Sequence, residues 1–566
     1  MKDFVQAMPV LKNQFNDDEL LKSFLTTKIP EEYQKEIFTN LEALGLRVIE
    51  DISMMAKDAE ENPPQLNQFD CWGKRIDEVK TSQGWKDLHR VCAEEEIVRI
   101  GYDKNYAQYS RMFQFSKLYL FHPSSAFYSC PLAMTDGAAK LIELHGDEKL
   151  KLRAFLHLTS NDPEKFWTSA QLMTEKSGGS DISTTETVAR KIEGKWKLFG
   201  TKWFCSAITA HMALALARIE DENGHSIAGS KGLSLFYIEL KNENGELNHF
   251  EIIRLKDKLG TNALPTAEIK LNGTDADLIG IEGEGVKLIS SMFNITRLYN
   301  AVTAVGAFRR LLVLAKDYSG KRKAFKKPIN EHPLNIKILA KAQVDFHACF
   351  HFTFLISEIM GSEEFYTLDN LFKLTQEELS KLLRLLTPIV KLYTAKKVVI
   401  WTSELLEVFA GVGYIENSGI ARLYRDNQVF SIWEGTTNIL SLDLLRALKK
   451  DDSFSILKKL LSLKLELINS TELKSEVQQV FLAIEEVEKI LEQKMKADEN
   501  ELEGISRDLA FSIGNITAAV GMLEHAAQAG SSKNSKAVVK IFLEQKLCQI
   551  EAFDQTVLEN FQDVIA

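Results

Sequence analysis

The sequence predicts an α+β multidomain fold in which a helical N-terminal part, a central β domain and a helical C-terminal part follow one another. Three observations support this prediction. The chain has 566 residues, which is enough for three or four domains. Glycine and proline are scarce, with 30 and 11 residues, and this favours long helices over short strands joined by turns. Hydrophobic periodicity changes from helical to alternating near residue 165 and becomes helical again after residue 285.

Four domains are predicted from these changes of pattern. Residues 1–164 are mainly helical, with loops at "ENPPQLNQ" and "LFHPSSAFYS". Residues 165–285 contain the alternating stretches "TTETVARKIEGKWKLFGTKWFCS", "GLSLFYIEL" and "TAEIKLNG", which are rich in β-forming residues. Long amphipathic helices occupy residues 286–450. After the acidic break "KKDDSF", residues 451–566 form a further helical extension.

Composition and charge argue against several classes of protein. The chain is 45% hydrophobic with a net charge of −10, so nothing global attracts it to nucleic acid or an anionic membrane. The N-terminus lacks an apolar or arginine-rich leader, so a cytoplasmic location is expected. The most apolar stretch, Phe346–Met360, is too short to cross a bilayer, and no membrane partner is expected. Six scattered cysteines without CxxC spacing favour reduced thiols over a zinc site or disulfides: Cys71, Cys92, Cys130, Cys205, Cys349 and Cys548.

Three short stretches carry candidate chemistry, although each has an ordinary interpretation when taken alone. "MTEKSGGSD", Met173–Asp181, has hydroxyl donors and two glycines that permit close approach by a ligand, but it could be a plain loop. "KWFCS", Lys202–Ser206, could hold a planar ring or simply belong to the core. "SIWEGTTNIL", Ser431–Leu440, places one carboxylate, Glu434, between apolar helical segments, where it could be a solvated turn residue.

The order and separation of these stretches resemble the acyl-CoA dehydrogenase family over roughly residues 80–448. In that family a T-E-x-x-x-G-S-D loop and a K-x-[WF]-x-[TS] strand form the flavin pocket, and a later E-G-T loop carries the catalytic base. "RKAFKKPI" resembles the family's R-x-x-F-G-x-P segment, and "EVFAGVGYIENSGIARLYRD" resembles its glycine-rich helix end. "LKDKLG", "SIWEG" and the long C-terminus are closest to the AidB-like branch.

The resemblance implies an N-terminal helical domain, a β-barrel domain, a helical bundle and an extra C-terminal extension. It also implies FAD-dependent α,β-dehydrogenation of an acyl-CoA thioester to trans-2-enoyl-CoA, with Glu434 as the base. Burial against Trp433 and the acyl chain would raise the pKa of that carboxylate and strengthen it as a base. Some family members place the base on an earlier helix, but residues 287–310 contain no acid, and Thr296 precedes Arg297. Glu434 is therefore the only candidate.

Other roles are implied residue by residue. The resemblance assigns FAD contacts to Leu172, Met173, Thr174, Ser180, Phe204, Cys205, Ser206, Arg322, Phe325, Gly411, Trp433, Thr436 and Asn438. It assigns acyl-CoA contacts to Ser180, Asn294, Arg297 and Gly435. Without the resemblance, Arg297 would be read as a surface helix arginine.

Arg322 would reach the FAD pyrophosphate of a neighbouring subunit, because a guanidinium binds phosphate bidentately. This implies a homotetramer arranged as a dimer of dimers. The competing interpretation is that Arg322 is one surface charge among several lysines. Two departures concern this part of the site: Lys326 replaces the usual glycine of R-x-x-F-G-x-P, and Ala410 precedes Gly411 where two glycines are common.

Three functions from different classes stay open at this point. The first is an active dehydrogenase of fatty acid metabolism that passes electrons to an acceptor such as an electron-transfer flavoprotein. The second is an AidB-like flavoprotein associated with DNA, and the third is an acyl-CoA-binding regulatory protein with little turnover. Residues 451–566 carry 12 Lys and Arg against 20 Asp and Glu, a net charge of −8. Because duplex binding needs several phosphate-neutralising cations, DNA is an unlikely partner for this extension.

Overall fold

The computed structural model describes residues 4–496, 499–528, 533–550 and 562–563. The chain divides into two compact units. We call the first the barrel unit; it comprises residues 10–310 and 414–429. We call the second the helical unit; it comprises residues 4–9, 311–413 and the described residues from 430 onward. The predicted order of helices, strands and helices along the chain is observed.

The N-terminal part of the barrel unit contains eight α-helical segments: α1 (Glu19–Lys28), α2 (Glu31–Arg47), α3 (Asp51–Glu61), α4 (Gln83–Glu94), α5 (Ser110–Phe121), α6 (Ser129–His145), α7 (Glu148–Leu150) and α8 (Leu156–Leu158). Every residue of α5 is buried, so its polar side chains need partners inside the protein. Arg111 of α5 pairs with Asp136 of α6 at 2.8 Å, and Gln114 donates to the same carboxylate. This network fixes the two central helices against each other.

A hairpin that the sequence reasoning did not predict interrupts these helices: β1 (Gln65–Phe69) and β2 (Arg75–Lys80). Its turn is held by the Asp70 carboxylate, which accepts the backbone N–H groups of Trp72 and Lys74 at 2.9 and 2.8 Å. Gly73 supplies a positive φ of 83°. Cys71 is exposed in this turn, and Trp72 is 90% exposed.

Seven strands form the β domain: β3 (Ser169–Leu172), β4 (Val188–Ile192), β5 (Lys195–Ser206), β6 (Met212–Ile219), β7 (Leu233–Glu239), β8 (Phe250–Leu255) and β9 (Thr266–Ile279). Pairing in the order β6–β7–β9–β5–β4 and back to β6 closes a five-stranded barrel. Strand β3 adds to β6 in parallel, and β8 adds to β9 antiparallel.

The core of the barrel unit lies between the barrel and two helices. Strand β6, "MALALARI", is apolar on both faces rather than alternating, as expected of a strand covered on both sides. Leu214 and Leu216 of β6 belong to one buried cluster with Ile142 of α6 and Met292 of α9 (Gly285–Lys321). This packing anchors the barrel to α6, so the loops at the barrel's strand ends emerge from a fixed base.

Within its described residues the helical unit contains the end of α9, seven further α-helices and one small hairpin: α9 (Gly285–Lys321), β10 (Lys323–Ala324), β11 (Lys327–Pro328), α10 (Pro333–Glu364), α11 (Gln376–Val408), α13 (Thr437–Lys450), α14 (Ser453–Glu466), α15 (Lys474–Lys494), α16 (Glu499–Ala527) and α17 (Lys533–Leu543). Helix α12 (Ile420–Asn427) belongs to the barrel unit. Helix α11 begins with a capping box between Thr375 and Glu378.

Helix α16 of the C-terminal extension packs against the family-like bundle helices α10, α11 and α13 within the helical unit. Its small residues permit this approach, because a side chain at Gly514 would lie 2.7 Å from the ring of Tyr393 on α11. Helix α9 has the length and mean hydropathy of a membrane span, but 89% of its apolar window is buried inside the protein. A buried core helix of a globular protein can have the same length and mean hydropathy.

Candidate active site

The loop after β3 makes a tight turn that leaves room beside it. Backbone hydrogen bonds of 3.2 Å join Glu175 and Gly178 in both directions. Gly178 has a φ of 146° and nothing lies within 4 Å of where its Cβ would be. A side chain at Gly179 would lie 2.8 Å from the hydroxyl oxygen of Thr174. The two glycines therefore give this loop a shape that bulkier residues would prevent.

Glu175 ties this loop to the strand that carries "KWFCS". Its carboxylate is buried and accepts hydrogen bonds from Lys202 Nζ at 2.7 Å, from the Thr187 hydroxyl at 2.5 Å and from the Glu186 N–H at 2.6 Å. Lys202 is fully buried and also donates to the Leu216 carbonyl. Burial raises the pKa of Glu175, but the Lys202 charge and these donors outweigh it and lower the pKa below its ordinary value. This buried pair fixes the two stretches to each other.

The segment 203–206 turns its residues alternately into and out of the barrel. The Trp203 N–H donates to the Thr174 carbonyl at 2.9 Å, which brings both predicted flavin-binding stretches together. Cys205 is fully buried, whereas the Phe204 ring is 53% exposed. The Ser206 hydroxyl lies 3.1 Å from the Thr266 hydroxyl. Leu172 is buried like Cys205, so at both positions only backbone groups can meet a ligand.

These residues fit the ring system of a flavin. The exposed aromatic ring of Phe204 offers a flat apolar surface. Thr174, Ser180 and Ser206, which belong to the same two sequence stretches, have hydroxyl groups that can form hydrogen bonds. Next to Leu172 on β3, the Gln171 side chain holds a buried amide Nε2 that has no hydrogen-bond partner within the described residues. A buried unpaired donor is costly, so a carbonyl acceptor on a bound ring would relieve it.

The α9 residues Asn294 and Arg297 lie one turn apart in the barrel unit and are half-buried. The Arg297 guanidinium stands 5.5 Å from the ring centroid of Phe293. Thr296, the position at which some family members carry an acid, is 1% exposed. A Cβ on Gly137 of α6 would lie 3.2 Å from its methyl group, so this position is filled by helix packing.

Glu434 lies in a strained loop of the helical unit. Its φ is +56°, a left-handed conformation that costs a non-glycine residue about 1–2 kcal/mol. Gly435 follows with a φ of 99°, and a side chain there would lie 2.9 Å from Leu440. The buried Lys391 ammonium donates to the Gly435 carbonyl at 2.5 Å and holds the strained turn in place. Non-glycine residues held in such conformations cluster at functional sites.

The residues around Glu434 continue the loop into α13. Trp433 and Glu434 are half-buried, and Thr436 and Asn438 are exposed. Thr436 is the N-cap residue of α13, but its hydroxyl does not cap the helix and can meet a ligand. Sequence reasoning found this loop but not Lys391, because nothing in the local pattern around residue 391 indicates which carbonyl its ammonium reaches.

Arg322 and Phe325 were both predicted to contact FAD. Arg322 directly precedes the hairpin β10–β11, and Phe325 lies in its turn. Its two turn residues, Phe325 and Lys326, have φ values of 49° and 73°, the pattern of a type I′ turn. Lys326 therefore adopts the conformation that a glycine would favour. Ala410, the second departure from the family pattern, also has a positive φ, 50°, and the neighbouring Gly411 has open space around it. Both substitutions keep the glycine-like backbone.

The predicted site residues thus fall into two sets, each described within its own unit. The barrel unit holds residues 172–174, 180, 204–206, 294 and 297, and the helical unit holds residues 322, 325, 411, 433–436 and 438. Sequence reasoning overlooked Glu175, Lys202 and Gln171, although the first two stand inside the quoted stretches. Within the described residues, no group of three or more His, Cys, Asp or Glu side chains is placed to hold a metal ion.

Four protein-family models match successive parts of the chain. Residues 7–162 match the N-terminal domain of the adaptive response protein AidB, and residues 170–274 match the acyl-CoA dehydrogenase middle domain. Residues 283–449 match the acyl-CoA dehydrogenase C-terminal domain. Residues 453–562 match a model described as acyl-CoA dehydrogenase 11 C-terminal domain-like.

Individual relatives cover most of the chain. Acyl-CoA dehydrogenase family member 11 of Caenorhabditis elegans is 39% identical over 550 residues, which is 94% of this chain and 87% of that protein. The crystal structure of Caenorhabditis elegans ACDH-11 in complex with C11-CoA gives a TM-score of 0.96 at 36% identity, covering 100% of this chain and 97% of that one.

Two further relatives agree with this similarity. The apo-form of Bd2924 gives a TM-score of 0.85 at 48% identity, covering 93% of this chain and 100% of that one. Putative acyl-CoA dehydrogenase AidB of Escherichia coli K12 is 29% identical over 401 residues, which is 69% of this chain and 70% of that protein. The predicted helical, β-barrel and helical organisation is shared with these structures and family models.

Proposed function

This chain belongs to the acyl-CoA dehydrogenase family, and we propose that it oxidises an acyl-CoA thioester to the trans-2-enoyl-CoA with FAD as its cofactor. The AidB-type N-terminal region and the extension shared with acyl-CoA dehydrogenase 11 place it in the AidB-like branch. The relative from Caenorhabditis elegans binds C11-CoA, which supports an acyl-CoA as the ligand of this chain.

The observation that carries the proposal is the backbone of Glu434. A glutamate is held in a left-handed conformation, a glycine follows it, and a buried lysine fixes the next carbonyl. Such strain persists only where the surrounding structure enforces it, and it directs one carboxylate away from the regular helix. The alternative base position on α9 is occupied by the buried Thr296, so no second acid competes for this role among residues 287–310.

FAD, when bound, supplies the acceptor for the hydride that leaves the β-carbon of the acyl chain. The Glu434 carboxylate takes the proton from the α-carbon as the general base. When FAD is bound, Thr174, Ser180 and Ser206 would donate hydrogen bonds toward its ring system, and Phe204 would pack against that ring system. Arg297 and Asn294 contact the CoA portion, while Thr436 and Asn438 contact the flavin from the start of α13.

We further propose a homotetramer built as a dimer of dimers. The supporting observation is Phe325, an aromatic side chain that is 92% exposed on a left-handed turn next to Arg322. An apolar ring displayed in this way gains stability when a second copy covers it. In that assembly Arg322 and Phe325 serve the FAD of a neighbouring subunit. A cytoplasmic location, a role in fatty acid metabolism and an electron-transfer flavoprotein as acceptor belong to the same proposal.

The test is a chain-length screen on the purified protein. The protein should purify yellow with about one FAD per chain, and acyl-CoAs of increasing length are then added without oxygen while the flavin absorbance is followed. We expect at least one chain length to bleach the flavin and yield the trans-2-enoyl-CoA. Tight acyl-CoA binding without bleaching would favour a regulatory protein with little turnover, and a protein that takes up no FAD would refute the proposal.

A further inference from the structure

The segment from residue 4 to residue 9 runs without regular secondary structure and touches the helical unit chiefly through the two residues before the β10–β11 hairpin. The Arg322 guanidinium donates from Nη1 to the Gln6 side-chain oxygen at 3.2 Å. Its central carbon stands 5.8 Å from the ring centroid of Phe4. Lys321 Nζ donates to the Met8 carbonyl at 3.0 Å. Three successive contacts thus join this N-terminal strap to residues more than 300 positions later.

We propose that the N-terminal strap positions Arg322 for the diphosphate of a FAD bound by a second copy of the chain. The inference rests on the proposed function, because it presumes that FAD is the cofactor and that Arg322 serves a neighbouring subunit. Gln6 is then a positioning residue: it fixes the guanidinium and touches neither the cofactor nor the substrate. No local sequence pattern assigns such a role to residues 4–9.

The N-terminal strap contributes little to the hydrophobic core. Phe4, Val5 and Met8 are 78%, 84% and 78% exposed, so their apolar surface remains largely in solvent. Stability from burial scales with the apolar area removed from water, and here that area is small. The contacts that the strap does make converge on Arg322 and its neighbour Lys321. Its structural effect is therefore concentrated on the orientation of those two side chains.

The Arg322 guanidinium carries more hydrogen-bond donors than its contact with Gln6 uses. The side chain is half-buried and has no carboxylate partner among the described residues. Gln6 engages Nη1, and no partner of Nε or Nη2 lies among the residues that the structure describes, so these two donors form a fork that matches two phosphate oxygens. An unrestrained arginine has about 2 kcal/mol of rotamer entropy to lose on binding, and holding it beforehand reduces this loss.

The surroundings of Arg322 are rich in positive charge. Lys321, Lys323, Lys326 and Lys327 stand beside Arg322 in the sequence and in the hairpin. In the described structure Lys321 is paired with Asp317, and the Lys327 ammonium donates to the Glu331 carbonyl. Positive charge of this density repels a further cation and attracts a diphosphate. The His332 ring steadies the hairpin, since its Nε2 contacts the Ala324 carbonyl at 3.1 Å.

A double-mutant cycle on the full-length protein tests this inference. FAD is removed, and the Kd of FAD is measured by fluorescence titration for the parent, Gln6→Ala, Arg322→Ala and the double variant, with oligomeric mass checked by sedimentation. We expect Arg322→Ala to weaken FAD by at least about 30-fold. Gln6→Ala should weaken it by about threefold to tenfold in the parent and by nothing further in the Arg322→Ala background. Val5→Ala, an exposed neighbour, is the matched control and should leave the Kd unchanged.

Gln6→Glu distinguishes a residue that positions Arg322 for a diphosphate from one that only stabilises the fold, because the added charge should change the Kd of FAD. The glutamate keeps an acceptor for Arg322 but adds a negative charge that competes with the diphosphate, so it should weaken FAD more than Gln6→Ala does. An unchanged Kd in Arg322→Ala would refute the role proposed for Arg322 and the inference with it. A normal Kd in Gln6→Ala beside a weakened Arg322→Ala would overturn the inference alone. Equal effects of Gln6→Ala in both backgrounds would also overturn it, because the strap would then act without Arg322.

Discussion

Glu175 and Glu434 are acids in two short glycine-containing loops, and they differ in burial and in backbone conformation. Glu175 is buried, accepts hydrogen bonds from a lysine, a hydroxyl and two backbone amides, and has a pKa held below its ordinary value. Glu434 is half-buried in a left-handed turn. The carboxylate of Glu175 is held by four hydrogen bonds, whereas the feature that marks Glu434 is its left-handed backbone.

This difference separates a structural acid from a candidate base. A carboxylate whose lone pairs are all engaged is a poor proton acceptor, because taking a proton breaks several charge-assisted hydrogen bonds. Glu434 is instead distinguished by its strained backbone, because a left-handed glutamate is held in place only where the surrounding structure enforces it. Sequence position alone does not separate the two, since both acids lie within three residues of a glycine inside motif-like stretches.

Glu434→Gln should produce the largest change. The amide keeps the size of the side chain but cannot accept the α-proton, so flavin reduction by an acyl-CoA should slow by about 10²- to 10⁴-fold. FAD and acyl-CoA binding should persist, because neither requires proton abstraction. The rate is measured by anaerobic stopped-flow bleaching of the flavin. Glu404→Gln, an exposed glutamate on α11 of the same unit, is the control. Reduction near the parent rate in Glu434→Gln would show that this residue is not the base.

Lys202→Met tests the structural side of the contrast. The substitution leaves the buried Glu175 carboxylate without its cation, and breaking a buried ion pair in this way costs about 3–5 kcal/mol of unfolding free energy. Urea unfolding measures the loss. Lys195→Met, an exposed lysine of the same strand, should change stability little. If Glu175→Gln in the Lys202→Met background recovers no stability, the penalty does not arise from the unpaired carboxylate.

Glu60 offers a third acid, one that is buried with too few donors. Its side chain on α3 is 8% exposed, and its Oε1 has no hydrogen-bond partner within the described part of the chain. Burial, with a further contribution from the Asp426 charge, raises the pKa of Glu60 to about 7. The nearest Arg422 nitrogen is 4.0 Å away and compensates only partly. Glu60 thus shows what burial does to a carboxylate that lacks the donors of Glu175.

The sign of its pH dependence follows from that raised pKa. Between the ordinary pKa of 4.5 and about 7 the folded protein binds more protons at Glu60 than the unfolded chain does. The contribution of Glu60 to stability is therefore present below pH 4.5 and is lost as the pH rises through 7. Glu60→Gln should flatten this decline and raise stability at pH 8 by roughly 1–3 kcal/mol. Unfolding curves at pH 5 and pH 8 that decline equally in both proteins would contradict this account.

The order of the secondary structure was predictable from the sequence because it depends on local periodicity. Strand β5 contains the alternating "KWKLFGTKWFCS", and α10 and α11 contain long helical patterns. The β1–β2 hairpin was overlooked although its turn, "DCWGK", contains the usual signals of an Asp followed by a Gly. The helical pattern on both sides outweighed those turn signals. The two strands have five and six residues, which is too short for a clear alternation of apolar and polar residues.

The remaining features depend on contacts or backbone angles that the sequence does not encode locally. Glu434, Lys326 and Ala410 adopt positive φ values that non-glycine residues rarely take. The residue types glutamate, lysine and alanine therefore did not predict this backbone conformation. The contact between Gln6 and Arg322 joins residues 316 positions apart and has no periodic signature. The motifs therefore indicated a candidate base and candidate flavin-binding loops, while the backbone strain and the long-range contacts at these positions required coordinates.

The turn of the β1–β2 hairpin has a practical consequence for labelling the protein. Cys71 is exposed there, whereas the other five cysteines are buried. Burial raises the pKa of Cys92 well above its ordinary value and that of Cys205 to about 12, which suppresses their reactive thiolates. A maleimide reagent should therefore attach at a single position of the native chain. Because Trp72 lies next to it on a turn fixed by Asp70, a fluorophore or spin probe at Cys71 would report directly on whatever approaches this hairpin.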